Sequence, residues 1–457
     1  MIKTAPRRAA LPVPPPLTTG RGAALYIGAL LGPGLLLLPG LAVTVAGPAS
    51  LLAWIALLVL SALFAVVFAA FGLRCPSAGG VIGYVTAGLG ARAGLVAGWC
   101  FLAGVVAGAP VVCLIGASYV TELTGGGQLA RAGVGALLLL VLLALAKGGL
   151  RASAAAQLLL VGLLVGVVAV AVAGTAGSVR AANWTPFAPH GWLAVAHAAA
   201  ILMLSFVGWE AVAPLTTAFR DPARQLTRVI AIALAVTSAL YLGLAIVTVG
   251  VLGSGAATIV PLAELLRRAI GPAGTSVAAV AAVVLTLGSV NAYISGGAAM
   301  AGHLTRPQRV GNDRVGSGGE AKPAPRFLAA VAVSGLLLIT LYGFGVASPA
   351  ALVAIPTTLF LAVYLGSMVS AVRFLRGPAR WAAVPASAAV AVMLACCGWA
   401  LALPALVAVA VTGWRRADRR RLGQPREGAQ LPSRHHQIAD GQQRGHRPSA
   451  RGGHLQQ

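Results

Sequence analysis

Charge is what this sequence has least of. Only 9% of its 457 residues are charged, and nine in all are acidic, whereas a soluble domain carries about 25% charged residues. That shortage excludes an ordinary soluble fold. Cysteine is scarce as well. Cys75, Cys100, Cys113, Cys396 and Cys397 lie in or beside apolar stretches without framework spacing, so they read as small buried hydrophobes and no disulfide is expected. The apolar stretches hold no histidine–carboxylate cluster, and the chain has no Gly-x-Ser-x-Gly elbow and no phosphate loop closed by Lys-Ser/Thr. An enzyme and a primary pump are therefore disfavoured, and no cofactor is expected. Nor is a metal: His435, His436, His446 and His454 have no acidic or cysteine partners at ligand spacing and read as part of a solvated tail. A signal-peptide h-region followed by a cleavage site is also missing.

What remains is apolar. Hydrophobic residues make up 58% of the chain and the mean hydropathy is +0.89. Apolar segments fall near 22–46, 50–73, 94–121, 132–147, 154–174, 195–217, 229–253, 274–302, 327–346, 349–371, 381–397 and 399–414. Most approach the roughly 20 residues that a membrane helix needs, so the fold class is an all-α integral membrane protein with about twelve transmembrane helices. The net charge of +24 follows membrane topology and not nucleic-acid binding. With the N-terminus inside, every lysine and arginine except Arg131, Arg180, Arg267 and Arg268 falls on the cytoplasmic side. The expected organisation is a disordered cytoplasmic lead-in over 1–21, a transporter domain over 22–414, and a basic, disordered cytoplasmic tail over 415–457.

Two segments are broken where a membrane helix should run on. In the first, Leu31-Gly32-Pro33-Gly34-Leu35 places a residue without an N–H between two glycines. In the sixth, Phe206-Val207-Gly208-Trp209-Glu210 places a glycine beside the only charged side chain deep in any segment. A carboxylate at a helix centre costs about 2.5–3.5 kcal/mol on the insertion scale, so Glu210 needs a partner or a cavity. It is read as a coupling or gating group that accepts a proton, the alternative being a structural hydrogen bond. Segments 1 and 6 hold equivalent places in two five-helix halves of opposite direction, near 22–174 and 195–371, with two extra helices over 381–414. Paired breaks of this kind mark the binding site of inverted-repeat transporters; the plainer reading is that glycine packs membrane helices. Amides that begin the new half-helix at Gly34, Leu35 and Leu36 favour a carboxylate, while carbonyls before the break and around Phe206 and Val207 favour an ammonium. The ligand expected is a small neutral amino acid. Trp209 is a lid or core packing, and Asn291 in segment 8 either lines the pathway or bonds between helices.

These residues resemble the amino acid–polyamine–organocation transporter superfamily over about 22–414. Leu31 to Leu35 is similar to its Gly-x-Gly substrate loop, Arg74-Cys-Pro-Ser-Ala-Gly-Gly-Val-Ile-Gly-Tyr84 to its signature after helix 2, and Phe206 to Ala211 to its unwound helix 6. Arg220-Asp-Pro-Ala-Arg224 with Arg228 resembles the start of helix 7. Ser289-Val-Asn-Ala-Tyr293 and the short final helices look most like bacterial exporters of methionine and branched-chain amino acids. The resemblance implies a five-plus-five inverted repeat with broken helices 1 and 6, and secondary transport by alternating access. Departures are Pro33 in place of a small or hydroxylated residue, Ala218 in place of an acid, Thr227 in place of a proline, and no lysine in segment 5. Uptake or exchange, and a membrane sensor that transports nothing, stand as alternatives to export. A channel is disfavoured by the few polar residues in the helices.

Overall fold

The computed structural model describes residues 18–32, 34–75, 80–148, 154–209, 219–256, 258–305 and 323–422. The described residues up to Thr412 form one compact unit. A second unit begins at Gly413, and its described part is the helical stretch to Leu422.

The described residues of the compact unit are mainly helical. Helix 1 of the bundle is split into α1 (Thr19–Leu30) and α2 (Gly34–Ala46). Then come α3 (Ser50–Arg74), α4 (Val81–Thr124, interrupted at Gly90), α5 (Gln128–Lys147) and α6 (Ala154–Thr175). Helix 6 starts as α7 (Leu193–Leu202) and tightens into a 3-10 turn, Met203–Phe206. After it follow α8 (Pro222–Leu252), α9 (Pro261–Ile270), α10 (Ala273–Thr305), α11 (Pro325–Gly343), α12 (Pro349–Phe374), α13 (Pro378–Ala395) and α14 (Ala402–Leu422).

Nine helices among the described residues are long and apolar enough to cross a membrane. The three expected segments that fall short do so for physical reasons. Segments 1 and 6 are the two interrupted ones, and segment 12 runs for only a short apolar stretch, Gly398–Gly413. Large apolar side chains such as Leu159, Val333 and Trp381 stand exposed on the flanks, as a surface facing lipid requires.

Helix pairing follows a two-fold pattern. Four of the five helices of the first half meet their counterparts in the second: α2 with α7, α3 with α8, α4 with α10, and α5 with α11. The off-diagonal contact of α1 with α8 is matched by that of α7 with α3. An axis interchanging two inverted halves produces this arrangement. Cys100 and Cys113 are buried, and all five cysteines are free.

Helix α8 opens two turns before the apolar segment that announced it, because Asp221 accepts from the Arg224 amide (3.4 Å) and Pro222 takes the first helical position. Helix α9 lies between two apolar segments and escaped the sequence reading, since only one face of it is apolar. Pro261, Leu262, Ala263, Leu265 and Leu266 are buried against α6, α8 and α10, while Glu264, Arg267 and Arg268 face out. Arg267 grips Glu264 with two bonds (2.9 and 2.7 Å) and Arg268 adds a third (3.1 Å). Hydrogen bonding from Arg267, aided by Arg268, lowers the Glu264 pKa despite partial burial. A lowered carboxylate pKa stabilises the fold above the unfolded value of about 4.3, and the gain is lost as pH falls through the folded value. Glu264→Gln is therefore expected to lower the thermal unfolding midpoint slightly at neutral pH and to converge with wild type below about pH 4. Parallel midpoints across the titration would remove this role from Glu264.

Candidate functional site

The site is built where the two interruptions meet. Helix α1 ends at Leu30, with the Leu31 amide donating to Ile27 O (2.7 Å) and the Gly32 amide to Leu30 O (3.0 Å). The chain restarts as a helix at Gly34. In helix 6 the 3-10 turn ends at Phe206, Val207 is extended, and Gly208 has φ +145°. That angle belongs to glycine, and the site needs glycine for a second reason. A Cβ on Gly208 would stand 2.2 Å from Ala29 O, so the backbone of one break lies directly on the other.

Broken helices leave backbone groups without intrahelical partners, and buried ones must be satisfied from elsewhere. Two buried tyrosines from other helices do this, and a third braces the restart of α2. Tyr241 on α8 reaches both breaks, its hydroxyl lying 2.7 Å from Leu30 O and 2.7 Å from Ser205 O. Tyr364 on α12 accepts from the amides of Gly208 (3.1 Å) and Trp209 (3.2 Å). Tyr119 on α4 donates to Leu36 O (2.6 Å) in the first turn of α2. None of the three was singled out from sequence. Each acts across a large separation along the chain, and no local pattern announces it.

One group is left over. Ser205 Oγ is buried and has no hydrogen-bond partner among the described residues. It faces the start of α2, where a Cβ added to Gly34 would lie 2.9 Å from it. A buried hydroxyl without a partner calls for an explanation, and its place beside a half-helix N-terminus supplies one below.

Gly208 lies against Ala29 and Gly34 against Ser205, and Leu31, Gly32, Leu35, Phe206, Val207 and Trp209 adjoin these contacts along the chain. Their side chains take different directions. Phe206 turns to α3 and α8, with ring centroids 5.9 Å from Trp54 and 5.0 Å from Tyr241. Trp209 is fully buried and its indole donates to Ser61 Oγ on α3 (2.7 Å), the packing alternative for this residue. The Leu35 amide is already engaged by Gly32 O (3.2 Å). Asn291 is half-buried on α10, and no hydrogen bond among the described residues ties it to the breaks. Pro33, Glu210, Ala218 and residues 76–79 of the signature loop lie outside the described residues.

The conformation is closed at both ends. Leu30, Leu31, Leu35, Ser205, Phe206, Val207 and Trp209 are each at most 5% exposed. Toward α9, Gly40 of α2 abuts the carbonyl of Thr258, which a Cβ there would meet at 2.0 Å. At the opposite end Gly22 of α1 lies under the ring of Phe219, 2.7 Å from where its Cβ would be. Beside α2 an apolar cavity of about 20 Å³ is lined by Leu37, Val111, Leu114, Ile115 and Ser118 among others. That is room for about one water. An open cleft of about 280 Å³ beside α9 carries Glu122, Glu264, Arg267 and Arg268, and it is separate from the breaks.

Two interrupted helices, pinned back to back inside an all-helical membrane bundle with an inverted repeat, define a carrier. The chain belongs to the amino acid permease family, whose model matches residues 17–416. It is similar to the uncharacterized amino acid permease YecA of Bacillus subtilis, 32% identical over 398 residues, covering 86% of this chain and 94% of that one. It is similar also to the L-methionine/branched-chain amino acid exporter YjeH of Escherichia coli, 32% identical over 285 residues, covering 61% and 67%. The branched-chain amino acid permease BcaP of Bacillus subtilis is 26% identical over 247 residues, covering 50% and 53%. The protein is thus a multi-pass membrane transporter of amino acids and not an enzyme.

Proposed function

We propose that this protein is a secondary carrier in the plasma membrane, with both termini cytoplasmic, that exports methionine and branched-chain amino acids by alternating access. The observation that carries the reading is the orphan Ser205 hydroxyl facing Gly34 across the two breaks. The half-helix N-terminus at Gly34, with the amides of Gly34 and Leu36, would take the substrate carboxylate, and Ser205 Oγ would donate to it. The carbonyls at the end of α1 and around Phe206 and Val207 would take the ammonium. The apolar cavity beside Leu37 would widen to receive the side chain. Its lining offers a single side-chain hydroxyl besides Tyr342, on Ser118, and that hydroxyl is bonded to Leu114 O (2.8 Å). A charged or strongly polar side chain would find no partner there. The name of the Escherichia coli relative supports the substrate class and the direction, and the asymmetry of lysine and arginine supports the orientation. Energy would come from a proton gradient through Glu210, or from exchange.

Counterflow of radiolabelled leucine and methionine in proteoliposomes, with and without a pH gradient, tests this. Saturable uptake of both labels, accelerated by the gradient in wild type and indifferent to it in Glu210→Gln, is the expected result. An unchanged pH dependence in Glu210→Gln would take coupling away from that residue. Absence of counterflow with folded protein would overturn the substrate assignment.

A further inference from the structure

The turn between α12 and α13 gathers positive charge that nothing in the fold neutralises. Arg373 lies in the last turn of α12, Arg376 in the short link, and Arg380 in the first turn of α13. The link reverses the chain at Gly377, whose φ is +69°, and Leu375 is buried beneath it. Helix α13 packs on both α12 and α3. The ends of α3 and α12 are joined by Phe71 and Phe374, whose ring centroids lie 6.2 Å apart with planes 10° from parallel. Arg74, one turn beyond Phe71 on the same face of α3, is thereby placed beside the turn. All four arginines are exposed. No carboxylate among the described residues pairs with any of them, since the ion pairs there all belong to Glu264. Trp381, next to Arg380, is 76% exposed, and Phe374 beside Arg373 is exposed as well.

Membrane topology accounts for arginines at helix ends, but not for four of them brought from three helices around exposed aromatic rings. A guanidinium holds phosphate oxygens through two parallel hydrogen bonds, and a tryptophan at the membrane surface sits at headgroup level. Arg373 and Arg376 are three residues apart, at most about 10 Å along the backbone, so their long side chains can share one headgroup. We propose that this turn binds the phosphodiester of an anionic phospholipid. Arg373, Arg376 and Arg380 hold the phosphate, with Arg74 at its edge, and Trp381 lies against the glycerol and the acyl chains. The orientation proposed above makes the inner leaflet the source of the lipid, while the binding itself does not depend on that orientation. The occupied site ties together the ends of α3, α12 and α13, which seat the first stretch of α4. Tyr84 stacks on Phe71 there (4.7 Å, 18°), and Ser370 on α12 donates to Tyr84 O. Bound lipid therefore steadies the segment that leads into the interruption at Gly90.

The test titrates the purified full chain, in uncharged detergent micelles, with phosphatidylglycerol, phosphatidylcholine or inorganic phosphate, and follows the thermal unfolding midpoint. Phosphatidylglycerol is expected to raise the wild-type midpoint saturably, and the other two to leave it in place. Combining Arg373→Gln, Arg376→Gln and Arg380→Gln should weaken the apparent affinity for phosphatidylglycerol about a hundredfold. A control that removes the same charge elsewhere, Arg220→Gln with Arg224→Gln and Arg228→Gln, should keep the affinity within about threefold of wild type. Should the first triple variant fail to fold, Arg380→Gln and Trp381→Ala are made singly, and each is expected to weaken binding about threefold or more. Equal stabilisation by phosphatidylcholine, or by inorganic phosphate, would overturn the proposal. So would an unchanged affinity in the variants of the turn, or an equal loss in the control, which would mean attraction to the whole basic face. None of these readings uses transport, so they decide the lipid site even if the protein carries no leucine or methionine.

Discussion

Gly208→Ala is expected to abolish transport and to lower the amount of folded protein. Two costs coincide at this residue. Its φ of +145° is one that a side chain rarely adopts, and the new Cβ would stand 2.2 Å from Ala29 O and 2.8 Å from Ala29 C. Strain and overpacking are worth about 1–3 kcal/mol each, together about 2–6 kcal/mol, against a total stability of about 5–15 kcal/mol for a typical protein. The obstacle is backbone in the last turn of α1, so no side chain can rotate aside. Relief comes only by parting helix 6 from α1, and that separates the carbonyls held by Tyr241 and the amides held by Tyr364. Thermal unfolding in detergent and counterflow on the same preparation check this. A variant with the wild-type midpoint and flux would show that the two breaks are not locked to each other at Gly208.

The second large effect separates binding from folding. Gly34→Leu should leave the bundle assembled and remove amino-acid binding. The nearest neighbours of a Cβ at Gly34 are the hydroxyl of Ser205 at 2.9 Å and the end of the Leu38 side chain at 3.0 Å. Both belong to side chains that can yield, unlike the carbonyl at Gly208. The remaining carbons of leucine would then fill the space between the α2 N-terminus and Ser205. A carboxylate displaced from there loses two charge-assisted hydrogen bonds of about 1.5–3 kcal/mol each, so the apparent affinity should fall about a hundredfold or more. Substrate-dependent thermal stabilisation is the direct measurement. A normal shift with leucine or methionine in Gly34→Leu would contradict the site.

The sequence located both breaks correctly because the cause is local. Proline between glycines at 32–34 and the glycine at 208 act on their own backbone, and their positions in two halves of opposite direction carry the inverted repeat. What holds the breaks is not local. Tyr241 and Tyr364 lie in helices that read only as apolar, and nothing along the chain says that a hydroxyl on α8 meets carbonyls from α1 and helix 6. Ser205 stands just before the Phe206–Glu210 motif and carries no signal of its own, because its significance lies in lacking a partner, a fact visible only in three dimensions. For Trp209 the sequence leaves a lid and core packing both open, and the indole bond to Ser61 on α3 is visible only in the fold. Helix α9 was missed for a simpler reason: scanning for long apolar runs overlooks a short helix with one charged face.

The two ends of the pathway are closed by different materials. Toward α9 the seal is backbone on backbone, Gly40 against the Thr258 carbonyl, whereas at the other end Gly22 meets the ring of Phe219. A ring moves by a rotation of its own side chain. A peptide carbonyl moves only when its segment moves, together with the helix it blocks, and such collective displacements run on the microsecond to millisecond scale. The two contacts therefore yield by different motions, a ring rotation at Phe219 and a displacement of backbone at Thr258, and the second is the slower kind.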